Sequence, residues 1–509
     1  MSSKNRTKTG PPGVNPSTSY WQQPSDSIAV LKSTSDLPQD ADVVIVGSGI
    51  SGSSIAYNLL TEKPELKVVM LEARQAASGA SGRNGGHTKT ATYRSFPENL
   101  KEVGEEDAIK VSKFEYDCMA AVHDFIQKQG IDCDGKRCDT VDVFYDQGHL
   151  DDAKQSVSRM EKLIGSSHPC SAHTFYSPEE TEKNFFCENS LGSVKYEAGS
   201  LSAYKFTIGV LKLALNKGLN LQTSTPATSI SKQTNDNNKT TWTINTPRGD
   251  ISTPTLILAT NGYTAHLLPK LQDVIVPFRG VVTAQRPGSS VAHQGDLPTT
   301  YSFIYKEGYE YMITRPAIEL EITTTTTPIA NGTSTPSTNN HITPNTPNTY
   351  DIVIGGGLTK TLDQGSSEFY TTDDTSAAIP PAIISYLNST PADFFGLANW
   401  GDDHALGRIK HTWSGIMGYS ADGHPLVGPI PGEDGLWIDA SFQGHGMVLC
   451  FLCAKAVVEM LLGRDGKELS SWFPRCFRVS EERMQKKFSG RLVGREIGEA
   501  ETVNGFDGH

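Results

Sequence analysis

The sequence is short of positive charge, and this shortage argues against a nucleic-acid partner. It contains 45 lysines and arginines against 57 aspartates and glutamates, which gives a net charge of −12. No basic block is present that could neutralise a run of phosphates. Apolar residues make up only 37% of the chain, yet 509 residues still suffice for a sizeable core and more than one domain.

Cysteines and long apolar runs are also scarce. The eight cysteines are too few and too dispersed for a disulfide framework, so we expect reduced thiols. Cys450 and Cys453 have a CxxC spacing but lie in an apolar helical run, which favours core packing over a metal site. That run, residues 447–462, is shorter than the roughly 20 residues that cross a bilayer. The opening MSSKNRTKTGPPG lacks a secretory or transit pattern. These features predict a cytoplasmic protein without a membrane span or a bound metal.

A βαβ unit opens the folded part of the chain. Asp42–Val46 and Lys67–Leu71 have the composition of buried strands, and Ile50–Leu60 has a helical pattern. The turn Gly47-Ser48-Gly49-Ile50-Ser51-Gly52 lets the backbone approach a pyrophosphate at the helix N-terminus, and Glu72 can accept a hydrogen bond from a ribose 2′-hydroxyl. The unit predicts a dinucleotide site that disfavours NADP; a glycine-rich structural turn is the alternative.

The residues after Glu72 favour a cofactor other than a nicotinamide dinucleotide. A nicotinamide fold would continue into further βα units, whereas this chain runs through small residues and glycines from Ala73 to His87. Backbone amides and hydroxyls in such a loop can meet phosphate or ring oxygens, although a mobile surface loop has the same composition. A second glycine run, Gly355-Gly356-Gly357, is not followed by an apolar helix and predicts a strand-end turn.

Taken together, the motifs resemble the FAD-dependent D-amino-acid oxidase, glycine oxidase and sarcosine oxidase superfamily. Within it, the likeness is to glycine/D-amino-acid-oxidase-like and gamma-glutamylputrescine-oxidase-like proteins. The matching pieces follow the family's order along nearly the whole chain: ADVVIVGSGISGSSIAYNL at 41–59, LEAR at 71–74, ASGASGRNGGH at 77–87, LILATNGYT at 256–264, VPFRGVVTAQRP at 276–287, TWSGIMGYSADGHPLVGP at 412–429 and SFQGHGM at 441–447. The resemblance implies an α/β fold, in which a Rossmann-type, glutathione-reductase-like FAD-binding domain is interleaved with a β-rich substrate domain.

The resemblance also implies domain bounds and FAD contacts. The FAD-binding domain would comprise residues 39–100, 190–265 and 405–470, and the substrate domain 101–189 and 266–404. Composition predicts a disordered or extended lead-in at 1–38 and a low-complexity insert at 323–349 in the substrate domain. Residues 471–509 would form a C-terminal tail. The FAD contacts would be Gly47, Ser48, Gly49, Ile50, Ser51, Gly52, Glu72, Ala73, Arg74, Ser81, Gly82, Arg83, Asn84, Gly85, Gly86, Ala227, Thr260, Asn261, Gly262, Gly415, Gln443, Gly444, His445, Gly446 and Met447.

For the substrate, the sequence offers polar and aromatic residues beside these motifs. The candidates are His87, Arg279, Trp413 and His424, each with a structural alternative such as an ion pair for Arg279 or the core for Trp413. Some relatives clamp a substrate carboxylate with arginines soon after the glycine loop, but the stretch Thr88–Arg94 does not identify such a clamp.

The implied activity is oxidation of the CH–NH bond of a small-molecule amine or amino acid by hydride transfer to FAD. We expect O₂ as the electron acceptor, giving H₂O₂, with another acceptor as the alternative. An enzyme of the same fold acting on a hydroxy acid or alcohol, and a non-catalytic FAD-binding protein, are the competing hypotheses. Substrate identity, flavin attachment and oligomeric state are left open by the sequence.

Overall fold

The computed structural model describes residues 8–166, 168–234, 240–293, 297–317, 350–361 and 369–489. The predicted insert at 323–349 therefore lies outside the described residues. The strands are β1 (Val43–Val46), β2 (Val68–Leu71), β3 (His87–Thr88), β4 (Lys136–Phe144), β5 (Thr174–Tyr176), β6 (Gly192–Ser200), β7 (Asn220–Gln222), β8 (Ser229–Thr234), β9 (Thr240–Thr246), β10 (Gly249–Thr253), β11 (Thr255–Leu258), β12 (Ile275–Gln285), β13 (Thr300–Tyr305), β14 (Gly308–Pro316), β15 (Tyr350–Gly355), β16 (Ile409–Ser420), β17 (Leu426–Pro429) and β18 (Leu436–Ala440).

The α-helices alternate with these strands mainly in the first half of the chain. They are α1 (Ile50–Glu62), α2 (Thr92–Glu102), α3 (Gly104–Gln129), α4 (Gln147–Ile164), α5 (Pro178–Phe185), α6 (Ala203–Leu215), α7 (Thr264–Leu267), α8 (Ser289–His293), α9 (Pro381–Phe395), α10 (Leu397–Trp400), α11 (Cys450–Leu461), α12 (Lys467–Trp472) and α13 (Glu481–Gln485). In the described part of the chain, no helix is long and apolar enough to cross a membrane.

A six-stranded sheet organises the N-terminal βαβ unit. Its strand order is β17-β18-β11-β1-β2-β7, with all neighbours parallel except β17 and β18. Successive side chains of a strand point to opposite faces. Val43 and Ile45 of β1 therefore pack on one face against α1, α6 and α11, whereas Val44 and Val46 pack on the other face against the three-stranded sheet β10-β9-β8.

A nine-stranded sheet is the second large sheet of the protein. Its main path is β16-β12-β15-β14-β13-β4-β6-β3, with β5 added beside β6. Strand β13 runs parallel to β4, which brings residues 300–304 beside residues 140–144. One part of the sheet packs on α9 and another on α2 and α4. The two large sheets draw on interleaved stretches of the chain, as expected, while the exact domain bounds stay a prediction.

The structure differs from the sequence expectations at two local points. Helix α2 carries Pro97 inside it and was not predicted. The lead-in was predicted to be disordered or extended, and the disordered alternative does not describe residues 8–38. Tyr20 and Trp21 are buried in this segment, so the docking of these two aromatics anchors it to the core.

All eight cysteines are free thiols.

Candidate active site

A cleft of about 370 Å³ lies at the carboxyl edge of the six-stranded sheet and extends to the nine-stranded sheet. Gly47 follows β1, Glu72 follows β2 and Thr260 lies two residues beyond β11, and all three line this cleft. The carboxyl ends of parallel strands are where open α/β sheets bind their ligands. The cleft is therefore the candidate site.

Gly47 and Gly52, in and just after the turn between β1 and α1, have no room for a Cβ atom. Gly47 has φ +107°, and a Cβ on it would lie 2.5 Å from the Ala259 carbonyl oxygen. A Cβ on Gly52 would lie 2.0 Å from the Gly47 carbonyl oxygen. Helix α1 begins at Ile50, and its N-cap Gly49 offers no side-chain hydrogen bond. The turn thus brings bare backbone and the positive end of α1 to the cleft.

Glu72 is held rigidly where β2 ends. Its Oε2 accepts hydrogen bonds from the Ser48 backbone nitrogen at 3.1 Å and from Ser48 Oγ at 2.6 Å. Its Oε1 accepts from the Arg74 backbone nitrogen at 2.9 Å. Ala227 also lines the cleft. Glu72 therefore presents a fixed carboxylate to the cleft, where the sequence predicts that it binds a ribose.

The loop that follows Glu72 is pinned by a buried charge cluster. Arg74 lies 2.9 Å from the fully buried Asp374, and Arg83 Nε lies 3.8 Å from the same carboxylate. Arg83 also donates to the Ser78 carbonyl at 2.7 Å, and burial lowers the pKa of its guanidinium to about 10. These contacts contradict the alternative of a mobile surface loop. They also direct both guanidinium groups toward the protein.

Residues from the N-terminal segment reinforce this loop. Trp21 Nε1 donates to the Asn84 carbonyl at 2.5 Å, and Arg83 donates to Ser17 Oγ at 3.1 Å. Pro12 lines the cleft itself. These contacts of the first residues with the loop were not predicted, because the partners lie more than sixty positions away.

The opposite end of the cleft is formed by the turn before α11. Gly444, His445, Gly446 and Met447 line it, as does Gly415 on β16. Asn261 Oδ1 accepts from the backbone nitrogens of Ser441 at 3.0 Å and Phe442 at 3.3 Å, which ties the turn after β11 to the turn after β18. Val448 and Cys450 also line the cleft, so the start of α11 faces it.

A buried ionic cluster stands on the wall formed by the nine-stranded sheet. Lys89 and Arg94 both line the cleft and both pair with Asp142, which is fully buried on β4. Lys89 Nζ also donates to Ser302 Oγ at 2.7 Å, and Tyr93 Oη donates to Asp142 at 2.5 Å. Burial lowers the pKa of Lys89 to about 8, while the two cations hold the pKa of Asp142 below its ordinary value. Two cations thus share one carboxylate.

Aromatic side chains complete this wall. Phe278, Tyr305, Tyr309, Tyr311 and Tyr419 line the cleft. Tyr311 is wedged so tightly that a Cβ on Gly85 would lie 2.3 Å from its ring. A largely apolar pocket with a few placed charges is the usual character of a small-molecule site. Neither the ionic cluster nor the aromatic wall was among the predicted site residues.

Of the four predicted substrate residues, only His87 lines the cleft. Its Nε2 lies 2.6 Å from Thr300 Oγ1, and burial holds its pKa well below the ordinary value, so the imidazole is neutral at pH 7.

Arg279, Trp413 and His424 do not line the cleft, so their predicted contact with the substrate stays a prediction without support from the cleft geometry. Arg279 alternates with Phe278 and Gly280 on β12, and these two neighbours face the cleft. Its guanidinium therefore faces the other side, where it donates to the Asp373 carbonyl at 3.2 Å.

The other two residues have structural surroundings of their own. Trp413 is fully buried and donates from Nε1 to the Arg83 carbonyl at 2.8 Å, behind the loop. His424 packs against Phe477 with ring centroids 6.0 Å apart and lines a second, smaller cavity.

The predicted cofactor residues divide into those that line the cleft and those that support it. The cleft-lining set is Gly47, Ser48, Gly49, Ile50, Ser51, Glu72, Ala73, Arg74, Ser81, Arg83, Asn84, Gly85, Ala227, Thr260, Asn261, Gly415, Gly444, His445, Gly446 and Met447. The residues that do not line it are Gly52, Gly82, Gly86, Gly262 and Gln443. The four glycines among them pack against carbonyl oxygens of neighbouring segments, and Gln443 borders the second cavity.

Comparisons with known proteins agree with this architecture. The family model described as "DAO: FAD dependent oxidoreductase" matches residues 42–460. A probable oxidoreductase OrdL of Rhizobium meliloti is 23% identical over 432 residues, or 84% of each chain. The crystal structure of glycine oxidase from Geobacillus kaustophilus superposes with a TM-score of 0.63 at 17% identity, covering 87% of this chain and 99% of that chain.

A second solved structure has the same fold. L-amino acid deaminase from Proteus vulgaris, with its specific insertion deleted, gives a TM-score of 0.61 at 16% identity, covering 89% of this chain and 98% of the other. These superpositions confirm the predicted α/β fold class, and the family match confirms the resemblance drawn from the motifs.

Proposed function

The chain belongs to the DAO family of FAD-dependent oxidoreductases, and from that premise we propose that it oxidises the CH–NH bond of an amino acid or amine. In this proposal O₂ accepts the electrons and yields H₂O₂. The small-molecule substrate binds on the wall formed by the nine-stranded sheet, and FAD binds along the six-stranded sheet.

The proposed FAD site rests on the shape and donors of the cleft. The glycine-rich turn at Gly47 would accommodate a pyrophosphate beside the N-terminus of α1. The fixed carboxylate of Glu72 can accept hydrogen bonds from a ribose. At the far end, the start of α11 brings the positive end of a helix to the cleft, and this would stabilise the negative charge of a reduced flavin bound there. The residues present therefore fit FAD.

Bound FAD would supply the hydride acceptor, which no side chain can provide. The chain's own contribution is to orient the substrate and exclude water. The aromatic wall, with Tyr311 wedged against Gly85, confines the space beside the proposed flavin position. His87 is neutral and hydrogen-bonded to Thr300, so it adds no positive charge that would oppose binding of an amine.

The observation that carries the amino-acid proposal is the charge balance around Asp142. Lys89 and Arg94 bring two positive charges to the cleft, and Asp142 neutralises only one of them. The excess positive charge faces a mainly aromatic pocket, where a charge is expensive unless it is paired. A substrate carboxylate would supply that pair. This favours amino acids over simple amines.

The test is the visible absorption spectrum of the purified holoenzyme, recorded without oxygen before and after addition of substrate pools. One pool contains amino acids, a second contains simple amines and a third contains hydroxy acids. We expect the amino-acid pool to bleach the flavin band and to generate H₂O₂ once oxygen is admitted.

Each other outcome has a definite meaning. Bleaching by hydroxy acids alone would refute the CH–NH proposal but leave the FAD assignment intact. A flavin band that no pool bleaches would point to a non-catalytic FAD-binding protein. A colourless protein that does not take up FAD would refute the cofactor assignment.

A further inference from the structure

A second cavity of about 110 Å³ adjoins the main cleft. The two share the wall residues Ala91, Arg94, Tyr419 and His445. The second cavity lies between the start of α2, helix α3 and the turn after β16. It has room for several non-hydrogen atoms, since a single water needs only about 10–15 Å³ of such space. A ligand that enters it from the main cleft would therefore pass the shared wall.

Glu115 is the distinctive group of this cavity. It lies on α3, lines the cavity and is 8% exposed, and its Oε2 has no hydrogen-bond partner among the described residues. Apolar side chains surround the space, including Val111, Leu449 and Phe477. Burial raises the pKa of Glu115 to about 7, with His445 acting in the opposite direction. A buried carboxylate oxygen without a hydrogen-bond partner is costly, so a cationic ligand would be favoured here.

The other charges around the cavity do not satisfy Glu115. Arg94 lines it, but its guanidinium is paired with Asp142 at 2.6 Å. The remaining titratable residues that border the cavity are Glu98, Tyr419, His424 and His445. Lys89, the other cation of the ionic cluster, lines the main cleft and not this cavity. The second cavity thus combines a cation that is already paired with a carboxylate oxygen that has no partner among the described residues.

We infer that the second cavity is a specificity subsite for a positively charged group at the far end of the substrate, held by Glu115. The matching chemistry is an ammonium or guanidinium group on a short chain, whose other end carries the oxidised CH–NH group and a carboxylate near Lys89. This inference rests on the proposed function, because it places the distal group relative to a substrate bound in the main cleft. It narrows the substrate class to basic amino acids.

Binding to the oxidised holoenzyme, measured by calorimetry without oxygen, tests the subsite. The probes are lysine and norleucine, which share a chain and differ in the terminal ammonium. We expect the wild type to bind lysine at least tenfold more tightly than norleucine, because hydrogen bonds to charged groups are among the stronger ones. Glu115→Gln should remove this preference by weakening lysine binding while leaving norleucine unchanged.

Two further variants keep the result interpretable. Glu115→Asp retains the carboxylate and should retain a preference for lysine. Glu106→Gln changes an exposed glutamate of the same helix and should behave as the wild type. The flavin content and melting temperature of each variant verify that it folds.

The possible failures separate the subsite from the proposed function. Equal affinity of the wild type for both probes, no measurable binding of either, or equal weakening of both in E115Q overturns the subsite. If norleucine nevertheless bleaches the flavin, the proposed function stands without the subsite. If the lysine preference is present but no amino acid or amine bleaches the flavin, the subsite stands as a binding site and CH–NH oxidation fails.

Discussion

Asp439 on β18 provides a sharp test of how burial controls ionisation in this protein. The side chain is fully buried, and neither carboxylate oxygen has a hydrogen-bond partner within the described ranges. Burial raises its pKa from an ordinary 3.8 to about 8, and only the Ser51 hydroxyl acts in the opposite direction. At neutral pH the folded protein therefore holds a proton on Asp439 that the unfolded chain has lost.

The sign and size of the pH effect follow from this difference. Between about pH 4 and pH 8 the folded state binds more protons than the unfolded state, so stability falls as pH rises, by about 1.4 kcal/mol per pH unit. From about pH 6 to about pH 7.5 this amounts to roughly 2 kcal/mol. Asp439→Asn does not titrate. The free energy of unfolding of the wild type should therefore drop by that amount relative to the variant.

Urea unfolding at the two pH values, followed by tryptophan fluorescence, measures the effect. Asp422→Asn is the matched control, because Arg483 pairs with Asp422 at 2.7 Å and holds its pKa below the ordinary value. Asp422 is ionised in both states across this range, so its variant should differ from the wild type by a constant amount. Parallel pH profiles for the wild type and Asp439→Asn would refute the reasoning.

Three other predictions concern the cleft. Gly52→Ala should abolish most FAD binding, since its Cβ would lie 2.0 Å from a carbonyl oxygen of the glycine turn. The ratio of flavin to protein absorbance measures the bound FAD. Gly466→Ala is the control and should bind FAD fully, because a Cβ at Gly466 would meet no atom within 4 Å. Lys89→Met should raise KM for amino acids about ten- to hundredfold, because a charged hydrogen bond contributes about 1.5–3 kcal/mol. An equal rise in KM for an amine without a carboxylate would contradict the proposed pairing of Lys89 with the substrate carboxylate. Trp413→Phe removes the hydrogen bond to the Arg83 carbonyl at 2.8 Å, which is worth about 1 kcal/mol. The variant should therefore release FAD about fivefold faster, as measured by flavin fluorescence. An unchanged release rate would show that this hydrogen bond does not hold the loop.

The sequence was sufficient to predict structure where the residues that determine it are close together in the chain. The strand, turn, helix and second strand that end in Glu72 follow one another within about thirty residues, and their hydrophobic pattern specifies both structure and role. The turn at Gly444–Met447 was found for the same reason, since it directly precedes the apolar helix α11.

The groups that the sequence did not reveal depend on distant pairing. Lys89 meets Asp142 across 53 positions because β4 lies beside the start of α2, and Arg74 meets Asp374 across 300 positions. No periodicity connects such residues. Arg279 illustrates a different difficulty: a strand alternates its faces with each residue, so a motif that runs along β12 does not say which side chains face the cleft.

The interleaved strand order of the six-stranded sheet has a consequence for biosynthesis. Strand β1 is made early, yet its neighbour β11 and the next strand β18 end at Leu258 and Ala440. At a synthesis rate of about 5–20 residues per second, roughly 20 to 80 s separate β1 from β18. Throughout that interval one apolar edge of the growing sheet lacks its permanent neighbour, first the edge of β1 and later the edge of β11. The yield of folded protein in a foreign host should therefore respond to chaperone supply and growth temperature before it responds to flavin supply.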